Sequence, residues 1–307
     1  MEPILRIGTR GSALALTQAR WVADRIRELR PGTEVELVTI RTTGDVVQDA
    51  SLAQIGGKGL FIKEIEESLL KGAVDIAVHS MKDLPAEIPE GLEIAAVPPR
   101  EDPRDVLISR DGRELDRMPT GARIGTGSLR RGIQLKNRMP AVAIVPLRGN
   151  LDTRIRKIET ENLDGVILAA AGLRRMGWEA RISQFIPVET MLPAVGQGAL
   201  GIEIRQADKR AREAVIPLHD PLSGREVGAE RAFLKGLGGG CQLPIAGFAK
   251  LIGKRLVLEG MVGSPDGRTM IRRKVEGAAE DGEGLGEKLA GIILALGGRD
   301  LLEGSAL

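Results

Sequence analysis

Apolar residues at Ala15, Ala19, Val22, Ile26 and Leu29 recur in alternating steps of four and three. That spacing predicts an amphipathic helix, with Ser12 of "GTRGS" as its N-cap and "RPG" as its stop. The flanking runs "ILRIG" and "TEVELVTIRT" read as strands. A polar, glycine-containing stretch, "GDVVQDASLAQIGGKG", leads to a predicted helix over "LFIKEIEESLLK", and "AVDIAVHS" is the next strand. Strands alternating with helices of this length indicate βαβ units and a mostly parallel sheet.

The alternation pauses at "PPREDPRD" (98–105) and resumes. "ARIGTG" runs into the helix "SLRRGIQLKNR", "AVAIVPLRG" into "NLDTRIRKIE", and "DGVILAAAG" into "LRRMG". "MLPAVGQGALGIEI", punctuated by Gly and Pro before it turns strand-like, marks a crossing between domains. From about residue 220 the character changes. A helix, "REVGAERAFLKGL", precedes three strand-like runs, "PIAGFAKLI", "RLVLEGMVG" and "RTMIRRKVEG", joined by "GK" and "SPDG" turns. With the closing helix "GLGEKLAGIILAL" they predict a small α+β domain.

At 307 residues the chain exceeds the size at which one core keeps growing, so two or three domains are expected. Lys and Arg total 44 against 42 Asp and Glu, which argues against a bulk polyanion-binding surface; an anion site must come from local clustering. Aromatic residues make up 2%, too few for a base-stacking platform, so no nucleic-acid partner is expected. No apolar run approaches about 18 residues and the N-terminus lacks the apolar core of a secretion signal. The expectation is a soluble, cytoplasmic protein with no membrane partner. The single cysteine, Cys241, excludes an internal disulfide framework, and two histidines, His79 and His219, leave little for a metal site.

Candidate chemistry gathers at the ends of the predicted strands, where helix N-termini point free N–H groups. Thr9, Arg10 and Ser12 follow the first strand; His79, Ser80, Lys82 and Asp83 end "AVHSMKD". Thr126, Ser128, Arg130 and Arg131 lie in "GTGSLRR", and Arg148, Asn150, Arg154 and Arg156 follow "VPLRGN". Each arginine alone reads as a solvated charge. Their recurrence at four strand ends suggests a cleft that holds several carboxylates or phosphates. Nucleotide motifs fail: "GTGSLRRG" lacks a dinucleotide glycine at Leu129 or Arg130, and "GGKGLF" has Gly59 where a P-loop needs Ser or Thr. Asp83 reads either as a turn residue or as a carboxylate that balances a developing cation. Cys241, in "KGLGGGCQLPIAG", reads either as a small buried residue or as a partly exposed thiol, fit for a nucleophile or an attachment point.

The stretches "RIGTRGSALALTQA", "GGKGLFIKEIE", "DIAVHSMKDLP", "REDPRDVLIS", "IGTGSLRR", "LRGNLDTR", "LPAVGQGALGIE" and "GGGCQLPIAG" together resemble the porphobilinogen deaminase (hydroxymethylbilane synthase) family, from residue 6 to 247. The resemblance implies an α/β fold of two periplasmic-binding-protein-like, doubly wound lobes around a cleft. A small C-terminal α+β domain with a three-stranded antiparallel sheet would complete it. The expected boundaries are 1–98 with 199–217, then 99–198, then 218–307. The implied reaction is a transferase step, head-to-tail condensation of four porphobilinogen molecules into hydroxymethylbilane with loss of ammonia. It runs on a dipyrromethane cofactor bound by a thioether, which motif position places on Cys241. By the same matching Asp83 is the catalytic carboxylate. Ser80, Lys82, Thr126, Ser128, Arg130 and Arg131 join it and Cys241 at the cofactor, and Arg10, Ser12, Arg148 and Arg154 hold substrate. Lys58 and Phe61 belong to the family's lid loop. The family is usually monomeric. Two departures stand out: Gly127 replaces a serine of some relatives, removing a hydroxyl contact, and Gly238 replaces an acidic residue, which is expected to loosen the Cys241 loop.

Two other readings remain open on the residues alone. One is a non-catalytic anion-binding protein of the same two-lobed plan. The other is a thiol enzyme pairing Cys241 with His79.

Overall fold

A computed structural model of the chain describes residues 4–42, 62–239 and 243–303. Along the chain run β1 (Leu5–Thr9), α1 (Ala13–Leu29), β2 (Val35–Thr39), α2 (Lys63–Leu70), β3 (Ile76–Ser80) and β4 (Leu92–Ala96). They are followed by β5 (Asp105–Ser109), β6 (Arg123–Gly125), α3 (Leu129–Arg138), β7 (Ala143–Val145), α4 (Leu151–Thr160), β8 (Gly165–Ala169), α5 (Ala170–Arg175) and β9 (Gln184–Phe185). Then come β10 (Leu200–Arg205), α6 (Lys209–Val215), α7 (Pro221–Gly236), β11 (Ile245–Ile252), β12 (Arg255–Gly263), β13 (Met270–Ala278), α8 (Gly282–Ile293) and α9 (Arg299–Glu303). The chain divides into two compact units, residues 1–100 with 199–224 and residues 101–198 with 225–307.

In the first unit a five-stranded sheet has the order β2-β1-β3-β10-β4. Alternation along β1, β3 and β10 sends Leu5, Ile7, Ile76, Val78, Ile202 and Ile204 to one face, where Ala19, Val22, Ala23 and Ile26 of α1 cover them. The opposite face meets α2 through Ile65 and Leu69, packed on Val74, Ala77 and Leu92. Leu29, the last member of the predicted α1 stripe, is 52% exposed, because the helix outruns the sheet it packs on. The sheet is mixed, not mostly parallel: β10 runs antiparallel to both β3 and β4.

The second unit repeats this plan in the order β7-β6-β8-β5-β9, with β5 the inserted strand, antiparallel to β8 and β9. In both sheets the inserted strand is the first one laid down after the chain crosses from one unit to the other. The same unit contains the predicted antiparallel sheet β11-β12-β13. Its "SPDG" turn closes by Gly267 N–H donating to Ser264 O at 2.9 Å, with Gly267 at φ +74°. Glu230 of α7, fully buried, accepts from Gly196 N–H at 2.6 Å and Ala249 N–H at 2.8 Å, joining α7 to β11 and to the "VGQG" turn.

Gly238 has a definite place at the end of α7. Its N–H donates to Lys235 O at 2.8 Å, and Gly239 N–H donates to Leu234 O at 3.1 Å. These two bonds, with Gly238 at φ +66°, form a Schellman C-cap. The glycine terminates the helix that leads to Cys241; the Cys241 loop, which the sequence expects it to loosen, lies outside the described residues.

Candidate functional site

In the first unit, Ser12 caps α1 by accepting from Ala15 N–H at 3.3 Å, as the sequence predicts. One turn further, the buried Gln18 side chain donates to Ser80 Oγ at 3.1 Å, fixing the end of β3 against α1. Beyond Ser80 the chain makes a single 3₁₀ turn, Met81–Asp83. Met81 and Leu84 are buried, and Met81 N–H donates to Ala199 O at 3.0 Å. Pinned at both ends, the turn holds Lys82 half-buried and Asp83 exposed. Asp83 lines one pocket of about 70 Å³ with Arg10, Ser12, Gln18, His79 and Ser80, over an apolar floor of Leu14, Ile62, Ile65 and Val78. A carboxylate, a guanidinium and two hydroxyls therefore converge on one small concavity.

His79 is turned inward. Its Nε2 lies 2.9 Å from Glu203 Oε2, and both side chains are buried. Glu66 of α2 adds a second acid here. Burial, and then the charge of Glu203, pushes it up to about 7, with His79 acting in the opposite sense. None of this cluster was legible beforehand, since Glu203 stands 124 residues from His79.

In the second unit, Ser128 caps α3 by accepting from Arg131 N–H at 3.5 Å, and Thr126 Oγ1 accepts from Ser128 N–H at 3.2 Å. Thr126, Ser128 and Arg148 line a pocket of about 180 Å³, joined by Lys136 of α3 and by Pro265 of the β12–β13 turn. The free N–H groups of the α3 N-terminus open here, a setting that favours an anion. Gly127 is required by packing: a Cβ at this position would come within 2.3 Å of Leu147 O, so a serine here demands a different backbone.

Arg130 and Arg131 are placed differently from an open anion clamp. Both are buried, and both bind Asp105: Arg130 Nη1 to Oδ2 at 2.7 Å, Arg131 Nε to Oδ1 at 2.9 Å. Arg130 also donates to Leu192 O at 2.7 Å, Arg131 to Ile167 O at 3.1 Å, and Gln197 to Asp105 Oδ1 at 2.9 Å. Burial alone would raise the Asp105 carboxyl, but the two guanidiniums hold it well below the usual carboxylate range. The cluster thus has a net charge of one positive. Arg154 donates from Nε to Gly149 O at 2.8 Å, bracing the loop that carries Arg148, and does not line the pocket. Arg175, passed over in the sequence, is a desolvated guanidinium that donates to Gly198 O at 2.6 Å; burial pulls it down to about 10. Lys58, Phe61 and Cys241 lie outside the described residues. Among the described residues no cluster of His, Cys, Asp and Glu is suited to a metal ion, and no helix is long and apolar enough to cross a membrane.

A family model described as porphobilinogen deaminase, dipyromethane cofactor binding domain, matches residues 5–213, and one described as the C-terminal domain of porphobilinogen deaminase matches 225–295. The chain belongs to the porphobilinogen deaminase family. The porphobilinogen deaminase of Syntrophus aciditrophicus is 60% identical over 97% of this chain and 98% of its own length. Those of Syntrophotalea carbinolica and Pelotomaculum thermopropionicum are each 50% identical, over 97% and 99% of this chain and 95% and 97% of theirs. Among solved structures, an arginine-specific periplasmic binding protein of Salmonella typhimurium overlaps 72% of this chain and 93% of its own at 15% identity and a TM-score of 0.40, too little to carry an argument. As a deaminase the chain is a transferase; the Asp83 pocket lies wholly within the cofactor-binding domain, and the Ser128 pocket does so apart from Pro265.

Proposed function

We propose that this chain condenses four porphobilinogen molecules head to tail into hydroxymethylbilane, releasing ammonia at each addition, on a dipyrromethane primer joined through a thioether to Cys241. The observation that carries the reading is Asp83. It is an exposed carboxylate on a turn held by buried neighbours, and it shares its pocket with Arg10. Loss of ammonia from porphobilinogen leaves a cationic electrophile. A fixed carboxylate beside it accepts from the pyrrole N–H, stabilises the positive charge and takes part in proton transfer, while a guanidinium holds a substrate carboxylate. The rest of the donor set suits the same chemistry. Each pyrrole of primer and substrate bears an acetate and a propionate. Ser12, Ser80 and Lys82 in the first unit, and Thr126, Ser128, Arg148 and the α3 N-terminus in the second, are groups that carboxylates seek. Arg130 and Arg131 act here mainly through the net positive charge of the Asp105 cluster. Arg154 acts by bracing the Arg148 loop as well as by its own charge. When bound, the primer supplies the nucleophilic pyrrole carbon to which the chain is added.

The reading includes a three-domain organisation (1–98 with 199–217, 99–198, 218–307), roles for Lys58 and Phe61 in covering the site, and a monomeric cytoplasmic enzyme acting on a small-molecule substrate. The test is intact mass. Purified protein should carry an increment of two pyrrole units that disappears in Cys241→Ser. Fully active protein of unmodified mass would sink the attached primer.

A further inference from the structure

Behind the Asp83 turn lies a set of acidic groups that the reaction above leaves unused. Glu203 on β10 is fully buried, His79 on β3 is 6% exposed, and the bond between them crosses the two strands whose pairing ends at that turn. Gly201 pairs with His79, Leu200 with Ser80, and Ala199 O accepts from Met81 N–H. Glu66 approaches from α2 on the same face of the sheet. One oxygen of Glu203 and one of Glu66 are buried with no hydrogen-bond partner among the described residues. Their apolar surroundings include Ile65, Leu69 and Ala77. Two such carboxylates cannot both stand ionised and unsatisfied there without a large desolvation penalty, and one retained proton removes most of it.

Among the described residues, no cation other than His79 is bonded to Glu203 or Glu66. Arg6 and Arg205, on β1 and β10, are both bound to Asp75 at the head of β3, and Glu93 on β4 is bound to Arg212. On α2 itself, Glu67 pairs with Lys71, Lys63 is exposed, and Glu64 has a contact of its own; Arg10 stands at the pocket.

We propose that Glu66 keeps a proton beside the His79–Glu203 bond, and that this bond, through β3, positions the Ser80–Asp83 turn for the reaction. These are positioning residues, and the proposal rests on the catalytic reading of Asp83. Holding His79 against Glu203 fixes the register of β3 on β10 one residue before the turn begins. Withdrawing the Glu66 proton places a second negative charge beside that bond and forces it to rearrange.

Two histidines in the whole chain make the test direct. In ¹⁵N-labelled holoenzyme, with His79 assigned by elimination in His219→Gln, the His79 ring nitrogens should shift with an inflection near pH 7, the range to which Glu66 is raised. Glu66→Gln, a neutral isostere, should abolish that inflection. Its absence from the wild type, or its persistence in Glu66→Gln, overturns the proton on Glu66. Glu203→Gln should lower kcat by about 10- to 100-fold with KM little changed, and Glu66→Gln should remove a step near pH 7 from the kcat profile. Wild-type kcat and pH profile in both variants overturn the positioning role. If the deaminase reading itself were wrong, the wild type would not turn over porphobilinogen while the His79 inflection persisted, so the two failures are distinguishable.

Discussion

Asp105 and Arg131 stand 2.9 Å apart, Oδ1 to Nε, with neither side chain open to water. Arg130 holds the other oxygen of the same carboxylate. The start of α3 is thus held by an internal ion triad whose geometry depends on one aspartate.

Replacing that aspartate, as in Asp105→Asn, leaves two buried guanidiniums without a counter-charge and should cost about 3–5 kcal/mol, read as a lower urea midpoint. The folded carboxyl titrates below its unfolded value of 3.8. Its stabilisation is therefore present above that value and lost as pH falls through the folded one. Acid unfolding of the variant should be correspondingly shallower than that of the wild type.

Glu66 works in the opposite sense. Its folded pKa of about 7 exceeds the unfolded 4.5, so the folded state holds a proton that the unfolded state releases between those values. The contribution is fully present below about 4.5 and is lost as pH rises through about 7. Thermal melts of Glu66→Gln between pH 5 and pH 8.5 should show a smaller decline than the wild type. An equal decline would remove Glu66 as its source.

Gly238→Ala should destabilise by about 1–2 kcal/mol, because an L side chain resists the left-handed conformation that the C-cap of α7 requires. Gly238→Asn should cost less, since asparagine tolerates that region. Denaturant titration of the pair checks the order.

Asp83→Asn keeps shape and removes charge. Turnover should fall by on the order of 100-fold or more, while stability stays within about 0.5 kcal/mol, as for other exposed sites. Steady-state kinetics beside a melting curve separates the two effects.

Local features were the legible ones. Ser12 caps its helix where the sequence placed the cap, and "SPDG" turns where expected, since each depends on a few consecutive residues. Short buried strands were not. β5, "DVLIS", is buried throughout and shows no alternation, and its antiparallel placement is decided by β8, some sixty residues away in the chain. Arg130 and Arg131 carried the right charge in the right motif, but their partner Asp105 lies 25 and 26 residues upstream. No pattern in "GTGSLRR" reveals it. Asp83 was singled out by its motif; why it projects follows only from the burial of Met81 and Leu84 on either side.

The inserted strands bear on the order in which this protein can assemble as it leaves the ribosome. Every strand of the β7-β6-β8-β5-β9 sheet lies between residues 105 and 185, whereas the N-terminal sheet requires β10 at 200–205. β4, at its edge, has β10 as its one ladder partner among the described residues. The part of the chain made first must therefore wait, with β4 unpaired, until the second lobe has been synthesised. The later-made lobe has all its strands in hand before the earlier one can close.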